Sequence, residues 1–482
     1  MPARTGQEYL EGLRQRRREI WLNGEQVDDV VSHPALANCA HTLARLYDMQ
    51  HDPATRDALT YLSPDTGKRE GTSFMIPRSV EDLVRRRTMV KTWADATCGM
   101  MGRTPDFLNV NLMSFAVRPD YFAQNDPRFG DNVVHYYEYV RDHDLCLTHT
   151  LVNPQVDRSR QVTELDPYIG LGVVQERPAG LIVRGARMLA TLAPFADELA
   201  VFPSTFRMEG QDAGKYALCF ALPLDTPGLR FLCRESFHYG KSTYDHPLGA
   251  RFDEMDAVVV FDDVLVPWER VFLYNNVDLC NRLFPDTGAI AHLMHQFVTR
   301  YVAKAEFVVG VACQLATSIA IDGFLHVQEK LGEMINYTEL MRACLRASEA
   351  DAMGATNGVV VPASEPLSSA RTMFPTLYPR MVEILQLLGA GGYMMTPSER
   401  DLAGPRRTDI ERYFQGAQAP APERIQLFRL AWDIVGSAFG SRQVLYERYF
   451  SGDPVRLTAG RYLTYAKAPL LERVCAFLQQ AD

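Results

Sequence analysis

Hydrophobic and polar positions change their period twice along the chain. From Gln7 to about Asp144 apolar residues recur at spacings of three and four, the repeat of amphipathic helices, with turn signals such as Ser63-Pro64-Asp65 between them. After His149 the pattern shortens to runs rich in branched and aromatic residues at 180–184, 198–202, 216–221, 229–232 and 257–261, bounded by Gly, Pro, Asn and Asp. Helical spacing returns beyond about Asn281. There Val327, Leu331, Met334, Met341 and Leu345 step by 4, 3, 7 and 4 onto one stripe of a long helix. Several such stripes predict a bundle, and the loops at 362–366 and 416–422 that punctuate it are too short to be interdomain linkers. The expected fold is α+β and multidomain: an N-terminal α-helical domain over residues 1–145, a central antiparallel β barrel or sandwich over 146–281, and a C-terminal helical bundle over 282–482.

Length agrees with that division, since 482 residues at roughly 150 per domain suggest about three units. A hydrophobic fraction of 47% with 23% charged residues supplies a large core and excludes intrinsic disorder. Fifty basic against fifty-nine acidic side chains leave a net charge of −9, so neither nucleic acid nor an anionic membrane is an expected partner. The arginine runs Arg16–Arg18 and Arg85–Arg87 read as solvated helix faces. Nine cysteines, odd in number and without a C-x-x-C pair, read as reduced thiols of a cytoplasmic protein. The N-terminus lacks the apolar segment of a secretory signal, so the sequon Asn336–Thr338 is expected to stay unglycosylated. The most apolar stretch, residues 307–321, includes Gln314 and falls short of the ~20 apolar residues that span a bilayer, which predicts a buried helix.

Three familiar motifs fail on inspection. Gly240-Lys241-Ser242 resembles the end of a phosphate loop, but Glu235 occupies the position of the required first glycine. Gly170 and Gly172 lack the third glycine and the following helix of a dinucleotide fingerprint. His292 and His295 could share a metal by spacing, yet no Glu or Cys completes a ligand set, so no metal is expected.

Two polar residues in apolar settings carry the candidate chemistry. In the segment Cys98 to Asn109, Thr104, Pro105 and Asp106 form a helix start, which puts Arg103 at the helix entrance among Met100, Met101 and glycines. Its guanidinium either faces a partly dry cleft or serves as a structural ion-pair partner. Leu145, Leu147, His149 and Leu151 alternate with smaller residues, so an extended backbone turns His149 inward, as a satisfied core residue or as a proton-transfer group. Asn153-Pro154 then turns the chain, and Gln155 to Arg158 bring amide and guanidinium donors suited to a ring edge or a phosphate.

These residues belong to stretches that resemble, over essentially the whole chain, the large oxygenase component of two-component 4-hydroxyphenylacetate 3-monooxygenases. The stretches are 4–6, 46–48, Gly99-Met-Met-Gly-Arg-Thr-Pro-Asp106, 148–149, 153–158, 184–187, 246–248, 261–272, 439–443, 446–448 and 452–456. The resemblance implies an acyl-CoA dehydrogenase-like fold, a homotetramer, and hydroxylation ortho to a phenol hydroxyl with reduced FAD and O2. It also implies 4-hydroxyphenylacetate as substrate. Arg103 and His149 would hold the phenol as the catalytic pair, with Phe107 beside them and Ser204-Thr205 at the substrate's other end. Flavin contacts would come from His149, Thr150 and Leu151, from Gln155, Val156, Asp157 and Arg158, from Thr191, and from Leu445, Tyr446, Glu447 and Arg448. Phe107 departs from the pattern, because familiar members carry a hydrogen-bonding tyrosine there.

A guanidinium beside a phenol oxygen favours the anion, and a neutral imidazole within reach can take the proton. Because the chain lacks a nicotinamide fingerprint, a separate NAD(P)H:flavin reductase is expected to supply reduced FAD by diffusion. Two enzymatic rivals follow from the same residues, beside a non-catalytic flavin-binding or assembly scaffold that the retention of both Arg103 and His149 argues against. One is the same chemistry on a chlorophenol, a nitrophenol or a carrier-bound tyrosyl group. The other is an acyl-CoA dehydrogenase or dehydratase-like flavoenzyme; a dehydratase of this kind needs an iron–sulfur cluster, which the cysteine spacing after Cys98 does not supply.

Overall fold

The computed structural model describes residues 3–204, 208–210, 212–354 and 357–479. Five helices organise its first part: α1 (Gly6–Gln15), α2 (Ala37–Asp48), α3 (Val80–Ala96), α4 (Asp106–Ala116) and α5 (Pro127–His143). Capping boxes start α1, through Thr5 and Glu8, and α3, through Ser79 and Asp82. The turn signal at Ser63 closes a small hairpin between residues 60–62 and 69–71. At the end of α5, Asp144 takes a left-handed conformation with φ 46°, which stops the helix and sends the chain into the strand that carries His149.

The runs read as β in the sequence all fall on strands, but the strands form two open sheets, not one closed barrel. The strands used here are β1 (Ile20–Leu22), β2 (Glu25–Gln26), β3 (Leu147–Thr150), β4 (Gly172–Arg177), β5 (Gly180–Thr191), β6 (Glu198–Val201), β7 (Leu218–Pro223), β8 (Leu229–Cys233), β9 (Asp256–Pro267) and β10 (Val271–Tyr274). One sheet runs β2-β1-β8-β9-β5-β4 and the other β10-β7-β6-β3. Most pairings are antiparallel. The two parallel ones, β1 with β8 and β3 with β6, join strands that are distant in sequence or linked by a long excursion. The N-terminal helical segment thus lends the pair β1 and β2 to the central sheet.

Six longer helices follow: α6 (Ala289–Ser318), α7 (Leu325–Ala350), α8 (Ser364–Gly389), α9 (Ala421–Val435), α10 (Ala438–Tyr449) and α11 (Pro454–Thr464), and α12 (Ala468–Leu478) ends the described chain. The stripe expected on α7 is present, with Val327, Met334, Met341 and Leu345 buried. Helix α6 is buried on nearly every face from Ala289 to Ala305, as befits a helix at the centre of a bundle. Its later turns, within the stretch expected to be wholly buried, are amphipathic and expose Gly310 and Gln314. No helix among the described residues is long and apolar enough to cross a membrane.

Two arginines in the supposedly solvated runs are core residues. Arg86 is fully buried and meets His292 Nδ1 at 2.9 Å, while Arg18 is buried and donates to the Pro194 carbonyl at 3.2 Å. Only Arg17 and Arg85 of those runs are exposed. His292 and His295 do not converge: His295 Nε2 lies 2.9 Å from Glu349. No cluster of three or more metal-ligating side chains occurs among the described residues.

Helices α6 and α10 are joined through charge as well as apolar packing. Glu447 receives Arg300 at 2.5 and 2.9 Å and Lys304 at 2.6 Å, all three fully buried. Burial acts to raise the Glu447 carboxyl, but Arg300 and Lys304 outweigh it and hold the pKa at about 2. Removing this anion strands two cations in the core. Glu447→Ala is therefore expected to lower unfolding stability by about 3–5 kcal/mol, measured as a drop in the urea midpoint at unchanged m-value.

Candidate active site

The loop from Cys98 to Pro105 crosses the chain's interior between α6 and α10, and its course is set by close approach. Cys98 and Gly99 both adopt positive φ, 54° and 66°. A Cβ on Gly99 would stand 2.5 Å from the Lys304 backbone nitrogen, and one on Gly102 would stand 2.1 Å from Tyr446 Oη. The loop's polar groups are held from behind. Arg300 donates to the Gly99 carbonyl at 3.2 Å, Gln443 to the Met100 carbonyl at 3.0 Å, and the Arg103 amide donates to Glu254 Oε1 at 2.6 Å. Helix α4 then starts at Pro105, without the expected hydroxyl cap from Thr104.

Held this way, the Arg103 side chain enters a mainly apolar cavity of about 500 Å³. Its guanidinium carbon lies 4.1 Å from the Phe107 ring centroid, 5.2 Å from Phe450 and 5.5 Å from Tyr446. Arg103 is only 8% exposed, its Nε has no partner, and no carboxylate among the described residues pairs with the guanidinium. Glu254 spends its Oε1 on the backbone amide of Arg103. Of the two readings left open for Arg103, the structural ion pair is thus absent.

His149 reaches the same cavity from β3, whose parallel pairing sets it opposite Ala200. Its ring lies 5.8 Å from Phe107 and 5.7 Å from Phe202, and its Nδ1 is buried without a partner. Burial first, and the charge of Arg103 second, hold its pKa well below the usual imidazole range, so the ring is neutral at pH 7. It is not a satisfied core histidine.

Thr150, Leu151, Thr191, Leu445 and Tyr446 also line the cavity. Gln155, Val156 and Arg158 lie on an exposed loop outside it, and Asp157 uses its side chain to receive Ser159. Glu447 is sealed in its ion pairs one layer behind the wall, and Arg448 points to solvent. Ser204 is buried but not part of the lining, and Thr205 lies outside the described residues.

Several residues in and behind the wall were not singled out as site residues, although Arg187 and Arg442 fall in the family-like stretches 184–187 and 439–443. Arg442 grips Asp256 fork-on at 2.6 and 2.7 Å, and Arg234 and Thr191 hold the same carboxylate at 2.9 and 2.7 Å. Burial acts to raise the Asp256 carboxyl, but the two guanidiniums outweigh it and keep it ionised. Arg187, fully buried, donates to the Leu151 carbonyl at 3.0 Å and fixes the end of the His149 strand. Arg371 stands elsewhere in the wall, beside Ser451.

The profile described as "4-hydroxyphenylacetate 3-hydroxylase N terminal" matches residues 5–273, and the one described as "4-hydroxyphenylacetate 3-hydroxylase C terminal" matches residues 280–479. The chain belongs to the 4-hydroxyphenylacetate 3-hydroxylase family. It is 50% identical over 480 residues to the 4-hydroxyphenylacetate 3-monooxygenase oxygenase component of Thermus thermophilus, covering 99% of this chain and 98% of that protein. A crystal structure of such an oxygenase component complexed with FAD and 4-hydroxyphenylacetate superposes with a TM-score of 0.95 at 50% identity, covering 99% of both chains. The 4-nitrophenol 2-monooxygenase oxygenase component of a Rhodococcus species is 35% identical, over 93% of this chain and 86% of that protein. A 4-hydroxybutyryl-CoA dehydratase from N. maritimus shares the fold alone, with a TM-score of 0.89 at 19% identity, covering 99% of this chain and 96% of that one. The fold is acyl-CoA dehydrogenase-like.

The depressed pKa of His149 has a thermodynamic consequence. The unfolded chain binds a proton at this imidazole near pH 6.5 while the folded chain does not, so folding loses stability as pH falls below that value. Relative to His149→Gln, the wild-type chain should lose urea resistance between pH 7 and pH 5. Parallel midpoints across that range would mean the imidazole is not buried neutral.

Proposed function

We propose that this chain is the oxygenase component of a two-component 4-hydroxyphenylacetate 3-monooxygenase, converting 4-hydroxyphenylacetate to 3,4-dihydroxyphenylacetate with reduced FAD and O2. The observation that carries this reading is an unpaired guanidinium and a neutral imidazole facing one apolar cavity. The overall reaction balances as phenol, FADH2 and O2 giving catechol, FAD and water.

A free phenol has a pKa near 10, so about one molecule in a thousand is the electron-rich phenolate at neutral pH. Arg103 offers that anion the counter-charge it lacks in the folded chain. The His149 imidazole, neutral at pH 7, has a free lone pair for the phenol proton, and the anion formed beside it offsets the basicity lost to burial and Arg103. The phenyl rings of Phe107 and Phe202 hold the substrate ring in plane and exclude water. Attack then comes from the ring carbon ortho to the oxygen.

Bound reduced FAD supplies the electrophilic oxygen from O2. The cavity suits a flavin. It joins broad apolar walls to buried polar atoms without partners, Arg103 Nε and His149 Nδ1 among them. We assign His149, Thr150, Leu151, Thr191, Leu445 and Tyr446 to cofactor contact. For the phosphate-bearing part we keep Gln155 to Arg158, which follow the lining residues Leu151 and Val152 in the chain, together with Arg448. Glu447 acts through Arg300 and Lys304 as a positioning residue. Ser204 and Thr205 remain the proposed contact for the substrate's other end.

Reducing equivalents come from a separate NAD(P)H:flavin reductase, because no nicotinamide-binding fingerprint exists in this sequence. Nine unpaired thiols support a cytoplasmic location. Helices α11 and α12 bury no residue of their own and expose Tyr462, Leu463, Leu471 and Phe477, which supports assembly, as a homotetramer, through this end of the chain. Light scattering should give about four chain masses for the full chain and a smaller assembly for one ending at Asp453.

A second reading is favoured by Phe107, which offers the phenol oxygen no hydrogen bond. A more acidic chloro- or nitrophenol needs less help to ionise, so kcat/KM for such phenols above that for 4-hydroxyphenylacetate would select it.

Purified chain with chemically reduced FAD, O2 and 4-hydroxyphenylacetate should form the catechol without NADH. Arg103→Met and His149→Gln should each cut the yield by about 10²-fold or more, with FAD affinity changed only a few-fold. Full turnover driven by NADH alone would contradict the two-component reading.

A further inference from the structure

Three arginines line the cavity, and one of them, Arg442, is answered by a carboxylate, that of Asp256. The other two have no such partner among the described residues. Arg103 is one. The other is Arg371 on α8, which no aspartate or glutamate pairs with among the described residues. Its Nη2 donates to the carbonyl of Ser451, and its Nε is sealed from solvent without a partner.

A largely sequestered cation without a counter-ion is costly, and the cost is relieved by an anion set against the part of the guanidinium that faces the cavity. Burial pulls the pKa of Arg371 down, with only the Tyr301 phenol acting against it. Ser451 and Gly452 line the same wall, and Gly452 has φ 122°, a conformation that favours glycine. Phe450 stands between the two cations, its ring against Arg103 and its C-terminal neighbour Ser451 against Arg371. One phenolate can neutralise only one of them.

The geometry points to Arg371 as the anchor for a second oxyanion in this cavity, either the carboxylate on the phenol's side chain or a phosphate of the flavin. The inference rests on the functional reading above, since it takes both ligands to occupy this cavity. Carboxylate and phosphate share the chemistry that a guanidinium fork recognises, two oxygens in a plane carrying negative charge. Arg371 would thereby select among phenols or among flavins without touching the reacting atoms.

Four dissociation constants on the full-length chain separate the possibilities: FAD against riboflavin, and 4-hydroxyphenylacetate against 4-methylphenol. Arg371→Gln should weaken one charged ligand by about tenfold or more while its uncharged counterpart binds as before. A loss confined to FAD assigns the phosphate, and a loss confined to 4-hydroxyphenylacetate assigns the carboxylate. Should Arg371→Gln fail to fold, Arg371→Lys, which keeps a cation but loses the Nε donor, should give a smaller shift in the same direction. Unchanged ratios, or equal weakening of all four ligands, overturn the role of Arg371. Wild-type chain that binds neither FAD nor 4-hydroxyphenylacetate would overturn the functional reading itself.

Discussion

An arginine held in an apolar cavity without a carboxylate is the condition from which the rest of this structure follows. Such a charge would ordinarily recruit an acid, and Glu254 meets the same residue at its backbone. The fold prevents this by engaging Glu254 with the backbone amide of Arg103 and setting its other oxygen 3.5 Å from Arg442 Nη1. The guanidinium is left facing aromatic rings, which soften its isolation without neutralising it. What remains is a site whose electrostatics are complete only when a ligand brings negative charge.

Holding that arrangement requires rigidity in the layer behind it. The loop carrying Arg103 passes within van der Waals limits of Lys304 and Tyr446, at two glycines that admit no side chain. Its carbonyls are fixed by Arg300 and Gln443, and these are fixed in turn by Glu447 and Lys304. A buried ion cluster contributes little net stability against an apolar substitute, but it specifies one geometry. Here that geometry aligns α6, α10 and the loop, so the long central helix of the bundle acts on the site without entering it.

Much of the fold and the centre of the site were legible in the sequence, for identifiable reasons. Glycines, a proline and an acid around Arg103 announce a loop feeding a helix, and strict alternation around His149 announces a buried strand. Both signals are local, and both survived folding. The strand Ile20–Leu22 was not legible, because three residues are too few to establish a period and its partner lies at Phe231. Arg442 and Asp256 are 186 residues apart, and only tertiary packing makes them neighbours. Arg18 and Arg86 were misread because a charge run is judged by composition, whereas one position in each run points inward and finds a carbonyl or an imidazole there. Glu447 falls in a stretch expected to meet the cofactor, yet the turn of α10 that exposes Leu445 and Tyr446 to the cavity buries its side chain behind them.

The claim at the centre of this account is that the folded chain ionises a phenol before any oxygen is transferred. A chromophoric ligand such as 4-hydroxy-3-nitrophenylacetate reports this directly, because its phenol and phenolate absorb at different wavelengths. Titrated with pH in the presence of saturating protein, its apparent pKa should fall by at least about one unit on binding, worth about 1.4 kcal/mol, and return toward the free value in Arg103→Met. A ligand that binds tightly to the wild-type chain yet titrates as it does in water would contradict the account.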